Sequence, residues 1–394
     1  MSKNLLEYAK IKSDGSILLG NHTVVDGFEP GRLDSDPKSP TYNQVVGKRA
    51  IGIFSHIHKD HTQLWASAMQ NCEKIFVSPP TFDMLAAYDQ DETNNVSSEC
   101  YFGGRHVKRL DFTETKVPEL NTRELNREKK FGDSITLYEA HHMLGSAQVK
   151  VTTCDETNIV YSGDFTHPKT EPIPCDVLVL DSTHGHPMFN TVVDNDSLEN
   201  RLVELVEQEI ATNHPVCIRA HVGRLQYLMH ILSKRIASDI KFLCGNSKHR
   251  KLIQVYDKYK MPIRNVLDPE HSIEGEDAMF GSYPFIEFKS KNERASKAEF
   301  DGRSTVFNIG GEYLGDKIPI TQKKSTEFNE INDREYKLEF GDHGNYESIL
   351  NYVRGCEPRL VITDNYRSSW GESLAERIND ELQDELQITA ISQP

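Results

Sequence analysis

The sequence predicts an α/β protein: a strand-rich first part over residues 1–185, followed by a small second domain with a parallel sheet. Three observations carry this. Short apolar runs bounded by turn signals fill the first 185 residues. Several of those runs end on His or Asp, as a site mounted on a rigid sheet requires. Helix and strand patterns then alternate from residue 198 to about residue 260 at the spacing of a parallel α/β unit, before a strand pattern resumes near residue 336.

In chain order, Ser16–Gly20 and His22–Gly27 are short apolar runs closed by Asp-Gly, Gly-Asn and Asp-Gly turns. A polar loop over residues 29–43 precedes the run Ala50–Phe54, and a helical stretch, Thr62–Met69, comes before the next strand, Lys74–Ser78. After Pro79-Pro80 the spacing predicts a helix from Thr81 to Tyr88, with Thr81 as its cap. Residues 107–130 are strongly charged and read as a surface excursion. Ser134–Ala140 alternates like a half-buried strand and ends at His141-His142; Ala147–Thr152, Asn158–Gly163 and Asp176–Leu180 are further strands, the last two leading into Asp164 and Asp181.

The inserted part has apolar residues at helical period in Leu198–Thr212 and Leu225–Ile236, a helix over Lys251–Lys260, and strands at Pro215–Ile218, Ile240–Cys244 and Ser304–Ile309. The remainder gives a strand at Tyr336–Phe340, a helix at Asn345–Arg354, a strand at Arg359–Thr363 and an acidic amphipathic helix at Glu372–Leu386.

Composition excludes some classes. No stretch of about 18 apolar residues is present to make a membrane span. The first residues lack the basic-then-apolar layout of a secretory signal. Seven cysteines without a Cys-x-x-Cys pair argue against a disulfide framework or a cysteine zinc site, so a cytoplasmic protein, or a nuclear one in a eukaryote, is expected. The formal net charge of −15 opposes long-range attraction of a polyanion.

The chemistry concentrates in His56-Ile57-His58-Lys59-Asp60-His61. Its imidazoles and carboxylate offer more donors than one tetrahedral zinc uses, which points to two adjacent metal ions. His-x-His-x-Asp-His after an apolar strand resembles the signature of the metallo-β-lactamase superfamily. His142, in His141-His142-Met143-Leu144-Gly145-Ser146-Ala147, matches that family's next ligand motif, with His141 where a glycine is usual. Asp164, in Ser162-Gly163-Asp164, matches its bridging aspartate.

Asp181-Ser182-Thr183-His184-Gly185 resembles the first added motif of the β-CASP nuclease group, with His184 in place of tyrosine. Arg219 and Gly223-Arg224-Leu225-Gln226 resemble the segment facing substrate phosphates, and Gly341-Asp342-His343 resembles the motif that supplies a histidine beside the scissile phosphate, where a simpler metallo-β-lactamase uses its final histidine as a metal ligand; the sequence leaves acid and ligand both open for His343. At the third motif, Thr363-Asp364-Asn365, no histidine is present, so either Asp364 coordinates in its place as an extra ligand or the second metal is weakly held. An aspartate at 181 and a non-histidine at 364 resemble the Artemis-type DNA nucleases more than RNase J and the polyadenylation-factor endonucleases.

The resemblance implies a metallo-β-lactamase αββα sandwich, residues 1–185 and 336–394, carrying an inserted α/β β-CASP domain, residues 186–335, with the active site in a cleft between the two. It implies hydrolysis of phosphodiester bonds, DNA before RNA, by hydroxide attack at two metals: zinc, with manganese or magnesium acceptable at the second position. His56, His58 and His142 would hold the first ion, Asp60 and His61 the second, and Asp164 would bridge. Asp60, Asp181 and His343 are the catalytic candidates, and Ser182, Thr183, Arg219 and Arg224 the substrate-binding ones. A ribonuclease is the sibling reading, and a small-molecule lactonase or thioesterase the more distant one.

Overall fold

The computed structural model describes residues 4–39, 42, 45–89, 107–120, 130–190, 192, 194–267, 285–294, 304–310, 320–322 and 335–394. Part of the charged excursion, 121–129, lies outside them, as does much of the stretch from 268 to 334. The chain divides into two units: Met1–Asn190 with His343–Pro394, and Thr191–Asp342.

The first unit has two sheets. One runs Ala9–Ile11, Ile17–Leu19, Thr23–Val25, Ile51–Ile53, Lys74–Val77, Val107–Arg109, antiparallel at first and parallel from Thr23–Val25 onward. The other runs Thr389–Gln393, Leu360–Asp364, Val177–Leu180, Asn158–Tyr161, Ala147–Thr152, Ser134–Glu139, Thr115–Lys116. Alternate residues of both sheets share one core: Ile17, Val25, Ile51 and Ile53 from the first meet Ile159, Tyr161, Val177 and Val179 from the second.

The opposite residues of the second sheet, Val160, Leu178, Leu180 and Val361, pack on the helices Tyr346–Cys356 and Gly371–Leu386 through Ile349, Val353, Leu374 and Ile378. On the outer face of the first sheet lies the end of helix Trp65–Asn71, where a Cβ added to Gly52 would sit 3.1 Å from the Cys72 sulfur. This is the αββα sandwich that the resemblance implies. The helix after Pro79-Pro80 spans Pro79–Asp89, two residues earlier than the spacing predicts. The prolines open it because the first helical amides need no intrahelical partner. Ser78 rather than Thr81 acts as the cap, its Oγ accepting from the Thr81 amide at 3.3 Å.

The second unit has a sheet ordered Val266–Leu267, Lys241–Leu243, Phe285–Ser290, Val216–Ala220, Thr305–Gly310, Glu335–Glu339, Ile320–Gln322, parallel but for the last pair. Its helices Asn195–Ala211 and Arg224–Arg235 close over Val216, Ile218, Phe242 and Phe288. The strand predicted at Tyr336–Phe340 belongs here. It pairs with Thr305–Gly310, so the first unit resumes at His343 rather than residue 336. No helix of the described residues is long and apolar enough to cross a membrane.

Candidate metal centre

The strand Ile51–Ile53 ends at Phe54, and the extended residues beyond it present His56 and His58 before the short helix Lys59–Thr62, which buries His61 and leaves Asp60 exposed beside it. The loop after Ser134–Glu139 supplies His142, and the turn after Asn158–Tyr161 supplies Asp164. One ligand atom from each of His56, His58, His142 and Asp164 lies within 4.8 Å of the others.

Asp164 divides its oxygens. Oδ2 lies 3.5 Å from His56 Nε2 and 3.7 Å from His142 Nε2, while Oδ1 lies 3.3 Å from His61 Nε2. His61 Nε2 is also 3.4 Å from Asp60 Oδ2. One carboxylate therefore reaches both the His56–His58–His142 donor set and the neighbouring His61–Asp60 pair.

The nitrogens aimed into this space suit metal ions. His56 and His61 are both 0 % exposed, and Nε2 of each, though near the Asp164 carboxylate, makes no well-aligned hydrogen bond. A buried, unpartnered imidazole nitrogen is costly unless something absent from the polypeptide coordinates it. A set of imidazoles and carboxylates is also the donor chemistry that zinc takes. Burial, with the His61 charge beside it, pushes the His56 imidazole well below its ordinary range. Burial and neighbouring His343 do the same to His142, so both are neutral donors. His61 differs: burial lowers it, but the Asp164 and Asp26 carboxylates outweigh burial and hold its proton well above the ordinary range. Asp60, despite a desolvation cost, is pulled down to about 2 by the His61 imidazole beside it.

Asp26 was not among the residues singled out from sequence. It is buried, and its Oδ2 lies 2.8 Å from His61 Nδ1 while both oxygens accept from Ser55, one from the amide and one from the hydroxyl. That contact fixes the His61 ring with Nε2 toward Asp164. Its only sequence signal is an Asp-Gly pair that reads as a turn. His141, where the family has glycine, adopts φ +52°, which explains that glycine: the left-handed region accepts it at no steric cost.

A second cluster joins Asp164 to Asp181 and His343. His343 Nδ1 is 2.8 Å from Asp181 Oδ2, and its Nε2 is 4.0 Å from Asp164 Oδ2. The other Asp181 oxygen accepts from the Thr183 amide and hydroxyl, at 2.9 and 2.7 Å. Burial lowers the His343 imidazole, but Asp181 and Asp164 raise it further, to about 9. His184, at the unusual position, is buried with its ring stacked on Phe189 at 4.9 Å and edge-on to His343 at 5.7 Å.

The remaining candidates are held elsewhere. Ser182 is buried and its hydroxyl donates to the Asp364 carbonyl. Asp364 caps the turn after its strand, accepting from the Tyr366 and Arg367 amides, and its Oδ2 pairs with the Arg367 guanidinium at 2.7 Å. Its carboxylate therefore does not join the described donor clusters. In the second unit, Arg219 donates to the Glu293 carbonyl at 2.8 Å, and Arg224 pairs with Asp342.

No family model matches the chain. It is 24 % identical over 341 residues to an RNase J-like protein of Methanocaldococcus jannaschii, covering 77 % of each chain. It is 25 % identical over 199 residues to the cleavage and polyadenylation specificity factor subunit 3 of Dictyostelium discoideum, covering 46 % of this chain and 24 % of that protein. It is 22 % identical over 333 residues to a probable DNA ligase of Opitutus terrae, covering 82 % of this chain and 30 % of the ligase. Among solved structures, a protein of unknown function from Enterococcus faecalis matches 88 % of this chain and 89 % of its own, at TM-score 0.54 and 12 % identity, a likeness of fold alone. With the His/Asp donor set and the Asp181–His343 pair on the αββα frame, similarity to an RNase J-like protein and to a polyadenylation-factor subunit supports the chain's resemblance to the β-CASP group of the metallo-β-lactamase superfamily and to its hydrolases.

Proposed function

We propose that this protein hydrolyses phosphodiester bonds of DNA, as an exonuclease or a processing nuclease of repair. The observation that carries the chemistry is Asp164, one oxygen toward His56 and His142 and the other toward His61. His56, His58, His142 and Asp164 would hold one divalent ion, and Asp60, His61 and Asp164 a second. Zinc suits the histidine-rich position, and manganese or magnesium the second. When bound, such ions supply Lewis acidity, water activation at neutral pH and charge neutralisation at the phosphate.

The chain's own residues supply the rest. His343 holds a proton at neutral pH because Asp181 and Asp164 face it, and its Nε2 points toward Asp164. That is the position of a general acid. As water oxygen bonds to phosphorus and the bond to the leaving sugar oxygen breaks, the His343 proton passes to that oxygen. Asp181, with Thr183 fixing its second oxygen, orients the imidazole and balances its charge.

The DNA reading is supported by Asp181, by the absence of a histidine at 364, and by the segment of a probable DNA ligase that resembles most of this chain. A ribonuclease is the second reading, favoured by the RNase J-like relative. Labelled DNA and RNA of one sequence, each tagged at either end, separate the two when incubated with wild type and Asp60→Ala. The DNA reading expects DNA to be degraded by wild type only, and RNA degraded with DNA untouched would overturn it.

A further inference from the structure

We infer that Tyr366 and Trp370, on the loop between the strand Leu360–Asp364 and the helix Gly371–Leu386, form a stacking platform for unpaired nucleobases of a single-stranded substrate beside the metal centre. This rests on the nuclease reading and names the form of nucleic acid it takes.

Each ring is held in place and partly open. Tyr366 is 38 % exposed, yet its ring lies against the Gly15 backbone so closely that a side chain there would overlap it. Its hydroxyl accepts from Gln63 Nε2 at 2.9 Å, two residues beyond the donor His61. The Arg367 guanidinium, itself fixed by Asp364, sits 5.7 Å from the ring centroid. The turn is built by the buried Asp364 carboxylate, which accepts from the Tyr366 and Arg367 amides. An exposed aromatic with its edge, one face and hydroxyl all fixed has little entropy left to lose on binding.

Trp370 is half-buried, with His186 at 4.8 Å and Phe189 at 5.5 Å between ring centroids. Phe189 in turn stacks on His184, which meets His343 edge-on, so successive rings lead from Trp370 to the proposed acid. The Ser368 hydroxyl ties this loop to the Asp181 motif by donating to the Ser182 carbonyl at 2.8 Å. One loop thus ties Tyr366 to the segment following His61 through Gln63, and Trp370 to His343 through Phe189 and His184.

The chain's charge gives the platform its purpose. A net charge of −15 offers little long-range attraction for a polyanion, so affinity has to come from short-range contacts. Base stacking on aromatic rings is such a contact, and it engages bases only where they are unpaired.

Two readouts test this. The chain has two tryptophans, Trp65 and Trp370. Oligothymidylate titrated into chelated wild type should quench tryptophan fluorescence, and Trp370→Phe should remove that quenching. Tyr366→Leu and Trp370→Leu should each raise KM for a single-stranded oligonucleotide by roughly tenfold with kcat held, as expected for loss of one stacked base. Tyr366→Phe should restore the wild-type KM, and a substrate abasic near the cleavage point should be insensitive to both leucine variants. Quenching that survives Trp370→Phe, an unchanged KM, or an equal loss on the abasic substrate would overturn the platform. Quenching without cleavage of any polynucleotide would keep the platform and sink the nuclease; cleavage with unchanged KM would do the reverse.

Discussion

Asp26 and His61 face each other at 2.8 Å in the core of the sandwich, and through that contact the turn after one strand sets the donor nitrogen carried by the next. Thr23–Val25 and Ile51–Ile53 are parallel neighbours, so their ends bring the two side chains together. Removing such an orienting carboxylate costs about 10–100-fold in metal affinity. Asp26→Ala should therefore weaken the second ion by roughly that factor while sparing the first. Isothermal titration with zinc or manganese reads both steps. Equal weakening of the two would contradict the assignment.

The two donor sets should respond differently to pH. In the metal-free chain His56 and His142 are held neutral, whereas Asp164 and Asp26 keep His61 protonated. Ligation by His61 must displace that proton, so affinity for the second ion should rise with pH, by about tenfold per unit below the raised His61 value. The first ion should show little dependence over the same range. Calorimetry in buffers of different ionisation enthalpy counts the released protons. A first ion with the steeper pH dependence would refute the account.

His343 should act through its proton and not as a ligand. His343→Gln should lower kcat by about 10²–10⁴-fold with metal content unchanged. Asp181→Asn should give a similar loss, and the double variant no more than either alone, because the pair acts as one unit. Loss of one ion per chain in His343→Gln would make it a ligand instead.

The loop carrying His142 depends on Gly145, whose φ is +82° and whose added Cβ would lie 2.8 Å from the Thr81 amide nitrogen. Gly145→Ala should cost ~1–2 kcal/mol for the left-handed backbone and a further ~1–3 kcal/mol for the overlap. Gly47, at φ +74°, has nothing within 4 Å of the added atom and should pay only the backbone cost. Thermal melting of the two alanine variants measures the difference. Equal losses would show that the overlap is relieved.

What sequence could reveal follows from how far apart the cooperating residues lie. His56, His58, Asp60 and His61 are legible because six consecutive residues carry them. His142 and Asp164 are legible because strands with clear alternation end beside them. Asp26 is not, because its use depends on which strand neighbours which. The same gap explains Glu335–Glu339: its apolar pattern marks a strand but not the partner that assigns it to the second unit. The short strands Ala9–Ile11 and Thr389–Gln393 are too brief or too polar to stand out, and exist because sheet edges pair with them. Ser182 and Asp364 have the right chemistry by position, yet folding spends the Ser182 hydroxyl and the Asp364 carboxylate on the turn at the strand ends.

The most direct test of hydrolysis at this centre is cleavage of a single-stranded oligonucleotide in ¹⁸O-water by the metal-loaded chain. The account predicts one ¹⁸O in the newly formed terminal phosphate, with no product after chelation or with Asp60→Ala. An unlabelled cyclic phosphate, or an intact oligonucleotide with both metal positions filled, would contradict it.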